Sequence, residues 1–123
     1  MGKDIQKQLQ KAEQLDKAKQ NKRAAKLYNS VGIDFLELEE YELARNCFFN
    51  AAKCAIEEDK YLTGLEFLRS AGSASLFKYD FLDAYQLYRE ALKYIPSLKN
   101  SSDQNYQFVL FSCLSYLCLF VEG

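Results

Sequence analysis

Four cysteines, at positions 47, 54, 113 and 118, and two acidic clusters, Glu39-Glu40 and Glu57-Glu58-Asp59, are the residues of this 123-residue chain best suited to chemistry. Thiolates at Cys-x2-Cys spacing would hold zinc or cycle as a redox pair, but none of the four stands in such a pair. The chain has no histidine. Its absence removes the commonest metal ligand and the commonest general base together, and with them every Cys-His or Ser-His nucleophile. The cysteines therefore read as buried, small apolar residues in a reducing compartment. The acidic clusters fall between helical segments, where capping accounts for them. No glycine-rich phosphate loop occurs. The expectation is a protein that is not an enzyme and carries no metal or cofactor.

The elements that position these residues repeat. A shift of forty sets Ser30 on Ser70, Gly32 on Gly72, Leu36 on Leu76, Ala44 on Ala84, Ala51 on Ala91 and Lys53 on Lys93. Large residues keep the same register: Leu27 with Phe67, Tyr28 with Leu68, Tyr41 with Phe81 and Phe48 with Tyr88. Tyr28, Val31, Gly32 and Phe35 fall on one helical stripe, and Ala44, Phe48 and Ala51 on another. Glycine and alanine let two backbones approach while Phe48 fills the space beside them, which predicts antiparallel helices joined by a short turn. The pattern resembles the tetratricopeptide repeat, through Tyr28-x2-Val31-Gly32-x2-Phe35 with Ala44-x3-Phe48-x2-Ala51, and Leu68-x2-Ala71-Gly72-x2-Ser75 with Ala84-x3-Tyr88-x2-Ala91-x4-Pro96. Ser75 in place of an aromatic and Ile56 in place of proline depart from it. The resemblance implies an all-α fold, a right-handed array of antiparallel helical hairpins (a tetratricopeptide-like α-solenoid) of about six helices. Its period of forty, against about thirty-four for the standard repeat, implies longer helices or longer links.

Residues 1–20 predict a basic amphipathic helix, with Ile5, Leu9, Ala12, Leu15 and Ala18 at helical spacing. Lys3, Lys7, Lys11, Lys17, Lys19, Lys22, Arg23 and Lys26 face only Asp4, Glu13 and Asp16 over the first 26 residues, a net of 8 − 3 = +5. The remainder carries 8 basic and 14 acidic residues, or −6, and the two parts sum to the net −1 of the chain. Such a helix is either a solvated face or a docking surface for an acidic partner or anionic lipid headgroups. Nucleic acid is not expected, because the basic run lacks interleaved aromatics and the body is acidic. No charged-then-apolar leader begins the chain, so secretion is not indicated.

The repeat domain covers 21–123, with hairpins at 21–57 and 61–96 and an incomplete third at 105–123. Pro96 and the polar run 97–104 predict a loop. The helix from Asn105 to Val121 is apolar nearly all round, but that run is short for a membrane span and is broken by Ser112 and Ser115. It reads as a core helix awaiting neighbours on two sides. Phe108, Phe111 and Ser112 repeat Leu68, Ala71 and Gly72, which makes it half a hairpin and leaves Phe111, Leu114 and Cys118 to be covered either by further residues of a longer protein or by another chain, a second copy included.

First helices of such arrays line a concave face. Here that face would carry Lys26, Asn29, Ile33, Leu36 and Glu37, then Glu66, Arg69, Ser73, Leu76 and Phe77. Where co-chaperone tetratricopeptide domains clamp a C-terminal carboxylate, Ile33 and Glu66 stand instead, so that binding is not expected. The run Leu27 to Leu76, with Gly32, Ala44, Cys47, Cys54 and Phe67-Leu68-Arg69-Ser70-Ala71, resembles the N-terminal part of the forty-kilodalton huntingtin-associated family. The long hairpins and acidic body also resemble the soluble NSF attachment proteins. The first resemblance implies a cytoplasmic, endosome-linked scaffold for a huntingtin-like partner or trafficking complex. The second implies a peripheral membrane adaptor of vesicle fusion.

Overall fold

The computed structural model describes residues 4–122, in six α-helices: α1 (Ile5–Lys17), α2 (Asn21–Glu37), α3 (Tyr41–Glu57), α4 (Tyr61–Phe77), α5 (Phe81–Leu92) and α6 (Ser101–Glu122). A single 3-10 turn, Ile95–Ser97, precedes α6. Each helix packs on its neighbours in sequence, so the chain is an all-α array of helical hairpins.

Every join from α1 to α5 is the same turn. Lys19, Glu39, Asp59 and Tyr79 all adopt φ near +60°, twenty residues apart. Around Glu39 the amide of Glu40 donates to the Phe35 carbonyl at 2.9 Å and that of Glu39 to Leu36 at 3.0 Å. The other three turns repeat these bonds, from Gln20 to Leu15, Lys60 to Ala55 and Asp80 to Ser75. This is the Schellman motif, which satisfies the last carbonyls of a helix through one left-handed residue. Glycine is the usual occupant; here none of the four is glycine. The acidic turn residues do not act as helix caps as the sequence suggests. Glu40 makes no side-chain capping bond, Glu39 and Asp59 hold the left-handed positions, and only Asp4 and Asp80 cap, at Lys7 and Asp83.

Inside the hairpins the small residues admit the rings of the facing helix. A Cβ placed on Gly32 would lie 2.9 Å from the Phe48 ring, and one on Gly72 only 2.4 Å from that of Tyr88. Gly64 stands in the same relation to Ile56, at 2.7 Å. Val31, Phe35, Phe48, Leu65, Leu68, Leu87 and Tyr88 form the main core, and Ala12, Ala24, Tyr28, Ala51 and Cys54 a second cluster under α1.

The C-terminal part differs from the sequence reading. Helix α5 stops at Leu92, Pro96 sits in the 3-10 turn, and α6 begins at Ser101, four residues before Asn105. Asn100 explains the early start, since its Oδ1 accepts from the amides of Ser102 at 2.8 Å and Asp103 at 3.2 Å. With 22 residues α6 is long and apolar enough to cross a membrane, so its length does not exclude a span. The side assigned to solvent is also reversed: Phe111 and Cys118 are buried and Leu114 partly so, because this stripe packs on α5, with the Tyr88 and Phe111 ring centroids 6.1 Å apart. Cys113, expected inside, is exposed on the opposite side of the helix.

Candidate functional site

The basic end is built from α1 and α2, held together by a polar knot. Tyr28 of α2 donates its hydroxyl to Asp16 Oδ2 of α1 at 3.1 Å, with Cys54 of α3 beside them. Burial, then the Asp16 carboxylate, pushes the Tyr28 phenol well above its ordinary range and the Cys54 thiol up to about 12. Asn21, at the start of α2, donates through Nδ2 to Glu58 at 3.0 Å. Asp16 and Glu58 are thus engaged by neutral groups. The lysines and arginine nearby are left without acidic partners.

Lys11, Arg23 and Lys26, with Leu15, Leu27 and Ser30, line an open groove of about 360 Å³ between α1 and α2. Among the described residues the ion pairs are Arg45–Asp83, Lys78–Glu42 and Lys93–Glu90, so none involves the basic end. Arg23 donates to the Gln20 side chain at 2.9 Å, which ties its guanidinium to the first turn of α2. Lys7, Lys17, Lys19 and Lys22 are exposed outside the groove, and Lys3 lies outside the described residues. The structure therefore joins Lys11 and Arg23 of the basic segment to Lys26 of the first-helix series.

The rest of that series is dispersed. Leu36 and Leu76 pack inward against the core, and Phe77 stacks on Tyr41 with centroids 5.4 Å apart. Asn29 and Ser73 are half-buried, while Ile33, Glu37 and Arg69 are exposed. A larger hollow of about 580 Å³ includes Asp59, Lys60, Lys99 and Asp103 in its lining. Two cations and two anions give it no preference for ligand charge. Among the described residues no three His, Cys, Asp or Glu side chains converge on a common point.

One constellation escaped the sequence reading. Arg45 of α3 clasps Asp83 of α5 through Nε at 2.8 Å and Nη2 at 3.0 Å, and Ser75 of α4 donates to the same carboxylate. The guanidinium also lies 4.9 Å from the centre of the Phe49 ring. Burial raises the Asp83 pKa, but the bonds from Arg45 and Ser75 outweigh it and hold the carboxyl below the usual range. The signal was present in the repeat: where the first unit has Phe35 and Leu43, the second has Ser75 and Asp83, a paired change from apolar to polar. Its role is to bolt three successive helices together.

No protein-family model, curated protein or solved structure matches the chain. The class is accordingly set by architecture: an α-helical hairpin array in which, among the described residues, the cations of the basic end take part in no ion pair.

Proposed function

We propose that the chain is a non-enzymatic adaptor that holds an acidic segment of another protein in the groove between α1 and α2. The observation that carries this reading is the groove itself, where Lys11, Arg23 and Lys26 converge beside Leu15 and Leu27 with no carboxylate paired to them. Cations on an apolar floor favour an acidic peptide that also carries aliphatic side chains. A cytoplasmic partner of the huntingtin-like scaffold or endosomal trafficking kind accords with the sequence resemblance. A second reading, a peripheral adaptor on anionic membrane, draws on the exposed Lys7, Lys17, Lys19 and Lys22 around the same end.

Binding of a fluorescent peptide of alternating glutamate and leucine, followed by anisotropy, tests the first reading. Affinity should fall with salt and be lost when Lys11, Arg23 and Lys26 are all replaced by alanine. Binding that survives this triple replacement refutes the assignment. Flotation with phosphatidylserine vesicles, abolished by reversing the charge of Lys7, Lys17, Lys19 and Lys22 but not by the groove variant, would select the membrane reading.

A further inference from the structure

The array presents two outer faces of opposite chemistry. On α1 the solvent side carries Gln6, Gln10, Glu13, Gln14 and Lys17, a polar surface that needs no cover. On α6 the solvent side carries Tyr106, Val109, Cys113, Tyr116, Leu117 and Phe120. Tyr106 is 63% exposed, Tyr116 77% and Phe120 87%. At 150–250 Å² for an aromatic side chain these three leave roughly 500 Å² of apolar surface in water, and the stripe as a whole on the order of 700 Å². That exceeds the largest patch usual on a monomer and approaches the ~800 Å² that each partner gives to a standard interface.

The arrangement of the stripe indicates what covers it. Tyr106, Val109, Cys113, Tyr116 and Phe120 are spaced three, four, three and four, the seam of a two-helix coil. Two pairs also match in type about Cys113: Tyr106 and Phe120 lie equally far on either side of it, as do Val109 and Leu117, while Tyr116 falls opposite the half-buried Leu110. We infer that this face of α6 binds the same face of a second copy of the chain, antiparallel, with a two-fold axis passing beside Cys113. Aromatic then meets aromatic at Tyr106 and Phe120, aliphatic meets aliphatic at Val109 and Leu117, and Cys113 meets its own copy. From Gln104 to Val121 there is no charged residue, so the axis brings no like charges together. The antiparallel helices also set each macrodipole against its opposite. A bilayer is the poorer occupant. The other stripe of α6 is fastened to α5 through Phe111 and Tyr88, and α5 carries Asp83, Arg89 and Glu90, with Lys93 at its end, which α6 would have to abandon or drag into lipid. This inference rests on α6 alone and stands apart from the basic groove.

Light scattering on the full chain should show the mass rising with concentration from 14.2 kDa toward twice that value. Tyr116→Lys, at a position facing solvent, should weaken dimerisation by about tenfold or more while leaving the circular dichroism unchanged. Cys113→Ser should still dimerise, which separates association from disulfide formation. In that background Tyr106→Cys and Phe120→Cys chains are then mixed and oxidised with copper and dissolved dioxygen, which takes one hydrogen from each of two apposed thiols. They should cross-link to each other and not to themselves. A monomeric mass at every concentration, or linkage of like with like, overturns the proposal. So does flotation on phosphatidylcholine vesicles by a chain that stays monomeric in solution, which would assign the stripe to lipid.

Discussion

Gly72→Ala isolates the contact on which the register of the second hairpin depends. Replacing a glycine inside a helix by alanine normally stabilises by about 1 kcal/mol, because the unfolded chain loses freedom and the helix gains a better former. At Gly72 the new methyl carbon would stand 2.4, 2.5 and 2.8 Å from Cε1, Cζ and Oη of Tyr88. That ring is 1% exposed and is backed by Phe111, so it has nowhere to swing. Overpacking of this kind costs about 1–3 kcal/mol, and three contacts this short on a trapped ring place Gly72 at the upper end, for a net loss of about 2 kcal/mol. Gly32 provides the internal comparison. Its methyl would meet Phe48 at 2.9–3.1 Å, a relaxation of a few tenths of an ångström, so cost and helix gain should nearly cancel. Urea unfolding of both variants measures the difference, with equal slopes confirming that stability alone has changed. Tyr88→Leu introduced with Gly72→Ala should recover part of the loss, since it removes the atoms that clash. A Gly72→Ala protein as stable as the parent, or one less affected than Gly32→Ala, would refute the packing assigned to the second hairpin.

Glu39→Gly should raise stability by about 0.5–1 kcal/mol, because Glu39 holds φ at 60° where only glycine is free of strain, and Glu39→Ala, which keeps the strain, should give no gain in thermal melts. Asp83→Asn should cost about 1–3 kcal/mol at neutral pH through the loss of charged hydrogen bonds to Arg45 and Ser75. The folded-state pKa of Asp83 is lowered, so its contribution is fully present above the unfolded value near 3.8 and disappears as pH falls through the folded one; the stabilities of parent and variant should converge below that range in acid titrations followed by circular dichroism. Of the four thiols only Cys113 should react quickly with a thiol reagent in the native monomer. Burial shields the other three and pushes Cys47 up to about 11, and Cys113→Ser should abolish the fast phase.

The hairpin register was legible because packing leaves a trace in residue size. Gly32 with Phe48 and Gly72 with Tyr88 are the same small-against-large pair forty residues apart, and the structure places each ring over its glycine. The ends of helices left a weaker trace. Asn100 caps α6 from within a run of polar residues that reads as a loop, and nothing in Ser101 to Gln104 distinguishes the first turn of a helix from a linker. The apolar character of α6 was plain, but not which side faces α5. A helix apolar on all sides carries no periodic signal, and the choice is made by Tyr88, a residue on another element. In the candidate groove Lys11 and Arg23 were visible as basic residues, whereas their convergence with Lys26 depends on α1 folding back against α2 through Asp16 and Tyr28.

The turns carry the deeper lesson about period. Side chains repeat every forty residues because the two helices of a hairpin do different work, one supplying the glycine and the other the ring. The backbone repeats every twenty, since Lys19, Glu39, Asp59 and Tyr79 make one turn with basic, acidic and aromatic side chains alike. That equality of length keeps each helix in step with the next, and in an array where helices touch mainly their sequence neighbours, stability accumulates interface by interface. Helix α6 then depends on the interface it makes with α5 and the adjoining 3-10 turn, while the stripe from Tyr106 to Phe120 gives nothing back. A second copy seated on that stripe would supply the missing interface, and by mass action it would stabilise α6 more than any other element of the fold.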